Sequence, residues 1–417
     1  MELIQALQNF IQGLHLPILL IVGLLTLLAF YTGRIMKYVR LPSIIGFMIM
    51  GALLGPSVLN LLSEDVQGQL SFITNIALGF VALSIGLELN IDSLKKQGWG
   101  IIFIILSESF MAFIVVTIGI FLLTGDLPMA LIFGAVAPAS APAGTVAVIQ
   151  EYKARGSLTK ALYAVVGFDD GLGIIIFGFA AAFAKSILVA DMGGPTAGFW
   201  AMMAEPFKEV VLSLAIGTVI ALLFSLLIRK VKSGRDVFIV TFSTVFIATG
   251  IAQIFHFSLI LTNMMIGIVA VNTQPNQVYQ SISEELKEVM PLIFVLFFGL
   301  AGSHLHLSAL PALGLIGIVY FICRSTGLMS GAWLGAVAGK SEEKIRKYLG
   351  LGILSQAGVA IGLALIVKDE FTHYGAWGVK IGTAVITTIT VTSIFFEILG
   401  PITTKIALRK AGEIPEE

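Results

Sequence analysis

Apolar runs of helix length follow one another from residue 16 to residue 404, separated by short polar turns. Such a chain satisfies its backbone hydrogen bonds inside lipid only as a bundle of membrane-crossing helices. A hydrocarbon layer takes about 20 residues of helix. On that rule the sequence predicts thirteen spans, at 16–33, 41–60, 70–88, 99–123, 127–150, 159–184, 207–228, 237–255, 258–272, 290–303, 311–338, 347–367 and 376–404. The expected fold class is all-α, a polytopic membrane protein of 13 transmembrane helices. Only 12% of the residues are charged, whereas soluble domains carry about 25%. The formal net charge is zero, which gives no footing for a nucleic-acid partner. The single cysteine, Cys323, excludes an internal disulfide. The histidines are scattered, with His304 and His306 the nearest pair, so no zinc site is expected. Residues 1–15 hold no Lys or Arg, so the first run is expected to be retained as a span rather than cleaved as a leader. A single integral membrane domain over 1–417 is expected.

Placing alternate loops on opposite sides sorts the basic residues. One side collects Arg34, Lys37, Arg40, Lys95, Lys96, Lys153, Arg155, Lys160, Arg229, Lys230, Lys232, Arg235, Lys287, Lys340, Lys344, Arg346, Lys347, Lys405, Arg409 and Lys410. The other side holds Lys185, Lys208, Lys368 and Lys380, and Arg324 remains inside a span. By the positive-inside rule the N-terminus is expected outside and the C-terminus in the cytoplasm.

The third span carries Gly86-Leu87 near its exit and the tenth carries Gly299-Leu300, 213 residues later. The two spans are seven apart in the series, so they cross in opposite directions, as in an inverted-topology repeat. Two interruptions obey a similar offset. The fifth span contains Pro138-Ala139-Ser140-Ala141-Pro142-Ala143-Gly144-Thr145, which cannot stay a regular helix because each proline removes a donor and crowds the preceding turn. The twelfth span carries Ser355-Gln356-Ala357-Gly358-Val359-Ala360-Ile361-Gly362. Two crossed discontinuous helices are expected, with half-helix ends and free carbonyls near the membrane midplane.

Four charges stand in otherwise apolar segments. Counting from the span ends, Asp169 and Asp170 lie about 10 residues deep, Glu108 about 9 and Arg324 about 13, which puts all of them near mid-bilayer. A carboxylate there costs about 2.5 to 3.5 kcal/mol on insertion scales, so an adjacent pair needs a task or a partner. Arg324 keeps its charge at any working pH and is expected to pair with a carboxylate, either Glu108 or Asp169. Glu108 as the partner makes a structural bridge and leaves both aspartates for ions. Asp169 as the partner makes cation access depend on breaking the bridge. In either case a cation needs ionised carboxylate and a proton needs the same oxygens, so each excludes the other. The alternative for the aspartates is a static ion-pair network. Ser140, Thr145 and Ser355 are candidates for coordination or for satisfying broken backbone at the crossing. Glu397 reads as a packing residue, Glu88 as an interfacial helix end, and His256 as solvated at an outer segment end.

Gly167-Phe168-Asp169-Asp170-Gly171 in the sixth of thirteen spans, the broken fifth and twelfth helices, and Arg324 in the eleventh together resemble the monovalent cation:proton antiporter superfamily, in its double-aspartate sodium/proton branch. The resemblance covers essentially the whole chain. It implies a homodimer, with residues 1–98 and 207–303 as dimerisation and scaffold helices, 99–184 and 311–408 as an ion-translocating core that moves like an elevator, and 185–206 as a linker between repeats. It further implies Asp170 as the essential cation and proton carboxylate and Asp169 as its neighbour. Arg324 stands where many relatives have Lys, with Glu108 similar to the acidic partner that accompanies Arg. Many relatives carry Thr-Asp-Pro at the fifth-helix crossing, where this chain has Ser140-Ala141-Pro142. The implied function is exchange of Na⁺, with Li⁺ or K⁺ as further candidates, for H⁺ across the inner cell membrane, with no cofactor and no enzyme activity. The alternatives are a K⁺/H⁺ antiporter of the same superfamily, whose usual nucleotide-binding domain has no counterpart in these residues, and a sodium-coupled organic anion symporter.

Overall fold

The structure, a computed structural model, describes residues 16–38, 43–92, 95, 98–191, 199–231, 233–255, 257–304 and 310–414. Arg40, Lys96, Lys232, His256, His306 and residues 1–15, on which parts of the expected orientation rest, lie outside the described residues. All regular structure among the described residues is helical. In chain order the helices are α1 (Ile18–Tyr38), α2 (Ser43–Leu54), α3 (Glu64–Gln69), α4 (Ser71–Glu88), α5 (Trp99–Thr124), α6 (Leu127–Val136), α7 (Pro142–Glu151), α8 (Ser157–Asp191), α9 (Phe199–Ile228), α10 (Gly234–Phe255), α11 (Leu259–Thr273), α12 (Asn276–Ser303), α13 (Leu310–Ala338), α14 (Glu343–Gly352), α15 (Gly358–Phe371) and α16 (Gly375–Lys410).

Length and apolarity identify nine membrane-crossing stretches among the described residues, the last of them running from Gly358 to Lys410 through a 3₁₀ turn. The thirteen expected spans each coincide with a helix or a helix pair. The difference in number comes from the short α2 and α11 and from the two interrupted segments, which fall below crossing length on their own. Several limits also move. The span expected at 290–303 is the second half of α12, which starts at Asn276 and carries Pro291 inside it. Its first half is too polar to show in an apolar scan. The linker expected at 185–206 is largely helical, since α8 continues to Asp191 and α9 begins at Phe199.

Both breaks lie where the sequence places proline or glycine. Helix α6 starts under an Asp126 cap, whose Oδ1 accepts from Met129 N at 3.0 Å, and stops at Val136 ahead of Pro138. Pro142 then opens α7, the first-turn position where a missing N–H goes unnoticed. The second interruption runs from Gly352 to Gly358, through an Ala357 that is neither helical nor extended (φ −156°, ψ −103°).

The packing reproduces the repeat. Gly51 of α2 meets the Gly299 carbonyl of α12, and Gly86 of α4 meets the Met264 carbonyl of α11. These are the same pair moved by 213 residues and exchanged, 51 to 264 and 86 to 299. Helix α13 lies antiparallel along α5, the arrangement two spans seven apart must have. Gly327, Gly331, Gly335 and Gly339 take positions against Ala112, Glu108, Ile104 and Gly100, and a Cβ at Gly331 would sit 2.5 Å from Glu108 Cα. Small residues at one-turn spacing allow this approach, which in lipid gives van der Waals contact without a hydrophobic drive. The tight α5–α13 seam fixes the depth of Glu108 and Arg324.

Candidate functional site

Breaking a helix frees carbonyls on one side of the gap and N–H groups on the other. Ala141 N–H donates to the Ser355 carbonyl at 3.0 Å, so the two gaps meet. Arg324, fully buried on α13, reaches into this crossing. Its Nε donates to the Ala137 carbonyl at 2.9 Å, Nη1 to Leu354 at 2.8 Å, and Nη2 to Ala139 at 3.0 Å and Ser355 at 3.3 Å. The Phe396 ring covers the guanidinium at 4.4 Å. Gln356 adds donors to Val136 and Ala139 carbonyls and shares a hydrogen bond with Tyr320, one turn before Arg324.

This overturns the expected bridge. Neither Glu108 nor Asp169 forms an ion pair with Arg324. Its partners are the C-terminal carbonyls of two half-helices, each end carrying roughly half a negative charge. Four backbone acceptors and a ring face thus take up the hydrogen-bonding capacity expected to go to a carboxylate. Glu108 is fully buried, accepts from Ser109 Oγ at 2.7 Å, and has its other oxygen, Oε2, without a donor.

The aspartates sit on the other side of the gap. Asp170 Oδ1 accepts the Ser140 N–H at 3.1 Å, two residues before α7 begins, where the positive end of that half-helix favours a carboxylate. Asp169 Oδ1 accepts from Asp170 N at 2.7 Å. Asp169 Oδ2 and Ser140 Oγ are buried and face each other without a well-formed hydrogen bond. Glu108, Asp169, Asp170 and Arg324 are near enough for their charges to act on one another.

The remaining expected residues divide. Thr145 donates to the Gly352 carbonyl at 2.8 Å, which Thr404 also contacts, so it satisfies broken backbone. Ser355 Oγ has no partner and is pressed by the backbones of Gly144 and Gly400. Sequence reasoning missed two groups. Glu88 is an exposed residue at the tip of α4, beside Leu89, which packs against Gly171, and its charge acts on both aspartates. The helix end expected at Glu88 is present, and its nearness to the aspartates is what the sequence does not show. Tyr320 and Gln356 form the second missed group, signalled only by a tyrosine one turn before a buried arginine. Among the described residues no three His, Cys, Asp or Glu side chains cluster as a polydentate metal site.

The family model described as "Sodium/hydrogen exchanger, transmembrane" matches residues 23–410. The chain belongs to the sodium/hydrogen exchanger family. Among solved structures it is similar to the sodium proton antiporter MjNhaP1 from Methanocaldococcus jannaschii at pH 8, with a TM-score of 0.76 and 18% identity over 95% of this chain and 98% of that one. An electron-microscopy structure of the same antiporter gives a TM-score of 0.69 at 17% identity with the same coverage. At these identities the likeness shows the fold. No curated protein sequence matches the chain. In this member of the family two buried aspartates on an unbroken helix face a break whose opposite side is held by an arginine.

Proposed function

We propose that the chain exchanges Na⁺ for H⁺ by alternating access, with Asp170 as the principal shared ligand and Asp169 beside it. The observation that carries this reading is a group of buried oxygens whose hydrogen bonding is incomplete. Asp169 Oδ2 and Ser140 Oγ flank the Ser140–Asp170 hydrogen bond. A buried polar oxygen without a donor costs about 1 to 3 kcal/mol, and a bound cation or proton offsets that cost. Hard oxygen donors of this kind suit an alkali cation better than a soft metal. A cation takes the ionised carboxylates, and protons displace it by occupying the same oxygens. Arg324, committed to four carbonyls, holds the crossing rigid and sheds no proton itself. Glu88, at the exposed tip of α4, supplies negative potential on the approach to Asp170.

The parts expected to move are residues 99–184 and 311–408, against a scaffold of 1–98 and 207–303 that also forms a homodimer. A cavity of about 740 Å³ supports this division, since Ala182, Asp369 and Glu370 line it from one group and Asn75, Glu209 and Gln253 from the other. The family and the long apolar helices support a multi-pass membrane transporter rather than an enzyme. The inner cell membrane, with the C-terminus in the cytoplasm, is the location the basic-residue distribution supports. Li⁺ and K⁺ are further candidate cargoes, and no cofactor takes part.

Asp170→Asn in proteoliposomes tests the reading. Loss of Na⁺-driven collapse of a preset pH gradient is the expected result. Full retained activity refutes it.

A further inference from the structure

The first break leaves one peptide group, between Ala139 and Ser140, bonded on both sides to side chains. Its carbonyl accepts from Arg324 Nη2 at 3.0 Å and lies 3.5 Å from Gln356 Nε2, and its N–H donates to Asp170 Oδ1 at 3.1 Å. The peptide is trans, so the carbonyl and the N–H point in opposite directions and set Arg324 and Asp170 on opposite sides of one rigid plane. In an unbroken helix the residues four before and four after would hold both atoms. Here α6 ends at Val136 and α7 starts at Pro142, so the side chains that grip the plane decide its orientation. Gln356 Nε2 is in turn fixed by the Tyr320 hydroxyl at 2.8 Å. Ser140 also turns its Oγ to Asp169 Oδ2, so the same plane places contacts to both aspartates.

The charges that act on Asp170 come from Asp169 beside it on α8, Glu88 at the tip of α4, Glu108 of α5 and Arg324 of α13. Helices α6 and α11, also packed on α8, carry no charged residue. Glu209 of α9 pairs with Lys185, fifteen residues beyond Asp170. The charged residues of α7, α14 and α15 stand at the helix ends farther from the breaks. Arg324 is the cation of the set acting on Asp170, and its guanidinium is committed to backbone carbonyls rather than to a carboxylate. A continuous line of hydrogen bonds nevertheless joins it to Asp170, through the Ala139–Ser140 peptide.

We propose that Arg324 is a positioning residue of the ion site: by holding the Ala139 carbonyl it aims the Ser140 N–H at Asp170, and so sets how readily a proton displaces the cation there. This rests on the exchange reading above. A charged donor on the carbonyl of a peptide polarises it and strengthens the N–H on its other side. An N–H donor in turn favours the ionised carboxylate. A bound cation leaves Asp170 ionised and keeps that hydrogen bond, whereas a proton neutralises the carboxylate and weakens it. The aimed peptide therefore favours the cation over the proton. A peptide released from Arg324 favours the proton.

Arg324→Lys keeps a charge at the crossing but gives up the planar fork that holds the peptide. In proteoliposomes the pH below which the KM for Na⁺ begins to rise is expected to move upward by about one pH unit in this variant, the worth of one hydrogen bond to a charged group. A packing defect alone lowers the maximal rate and leaves that pH in place. Should Arg324→Lys fail to fold, the peptide can be altered directly: the α-hydroxy analogue of serine, inserted at position 140 by nonsense suppression, replaces the N–H with an ester oxygen and leaves Arg324 intact. The same upward move is expected. An unmoved pH in either protein overturns the proposal. So does an Arg324→Lys shift as large in the ester background as in the amide, because Arg324 would then act by a route other than this peptide. Retained transport in Asp170→Asn defeats the exchange reading itself, whereas its loss there combined with an unmoved pH in the ester protein defeats only the role of Arg324.

Discussion

Arg324 donates through Nη2 to the carbonyl of Ser355 at 3.3 Å, and the same guanidinium reaches Ala137, Ala139 and Leu354, so one side chain closes the exposed ends of two half-helices. The buried cation and the broken backbone are a single structural unit. Neither is stable without the other, because carbonyls freed in lipid and an unpaired arginine are each costly.

Arg324→Lys separates geometry from charge. Lysine keeps the charge, but its single ammonium cannot span both breaks as the planar fork does. Each hydrogen bond to a charged donor contributes about 1.5 to 3 kcal/mol, so losing one or two is expected to destabilise the protein by roughly 3 kcal/mol. Thermal unfolding in detergent checks this. A melting temperature equal to wild type would mean that the four contacts contribute nothing.

Glu108→Gln distinguishes the observed arrangement from the bridge expected by sequence reasoning. Removing one partner of a buried ion pair costs about 3 to 5 kcal/mol. Glu108 makes no such pair, and glutamine preserves an acceptor for Ser109 Oγ. The expected change is therefore within about 1 kcal/mol. Detergent unfolding of this variant beside Arg324→Lys gives the answer directly, and a loss as large as that of the arginine variant would restore the bridge.

Much of this architecture was readable in advance, for identifiable physical reasons. Pro138 and Pro142 cannot continue a helix, and the Gly86/Gly299 offset survives as a matched pair of helix contacts, because backbone rules act locally. The partner of Arg324 was not readable. Side-chain charges are visible in a sequence, whereas carbonyls become available only once two distant breaks are brought together. Glu88 is the helix end expected, but its closeness to Asp170 was not readable, because it depends on Leu89 packing against Gly171, a contact between segments 82 residues apart. The polar first half of α12 escaped because apolar scanning sees only the lipid-crossing part of a longer helix.

The α5–α13 seam predicts opposite signs for two glycine substitutions. At Gly331 a Cβ would lie 2.5 Å from Glu108 Cα and 2.6 Å from the Ser107 carbonyl oxygen, neither of which is a flexible side-chain end. Gly331→Ala is expected to destabilise by about 1 to 3 kcal/mol, the usual range for overpacking. Gly250 in α10 has nothing within 4 Å of the same position. Gly250→Ala is expected to stabilise by roughly 0.5 to 1 kcal/mol through reduced freedom of the unfolded chain. Equal effects at the two sites would show that the close approach of α13 to α5 does not exist.

Under the proposed exchange, competition for the oxygens of Asp169 and Asp170 sets its pH dependence. With protons and the cation sharing that buried pair, lowering the pH is expected to fill it with protons and raise the apparent KM for Na⁺. Where one proton opposes one cation the rise is about tenfold per pH unit, and where two protons do so it approaches roughly a hundredfold, by mass action. The adjacent carboxylates interact, so the slope belongs to the pair rather than to either residue. Initial rates across a series of Na⁺ concentrations and pH values measure it. Removing Asp169 as Asp169→Asn, with Asp170 intact, is expected to lower a two-proton slope to a one-proton slope. A KM for Na⁺ that stays constant as pH falls, with only the maximal rate declining, would place the proton and the cation at different sites and end the shared-carboxylate account.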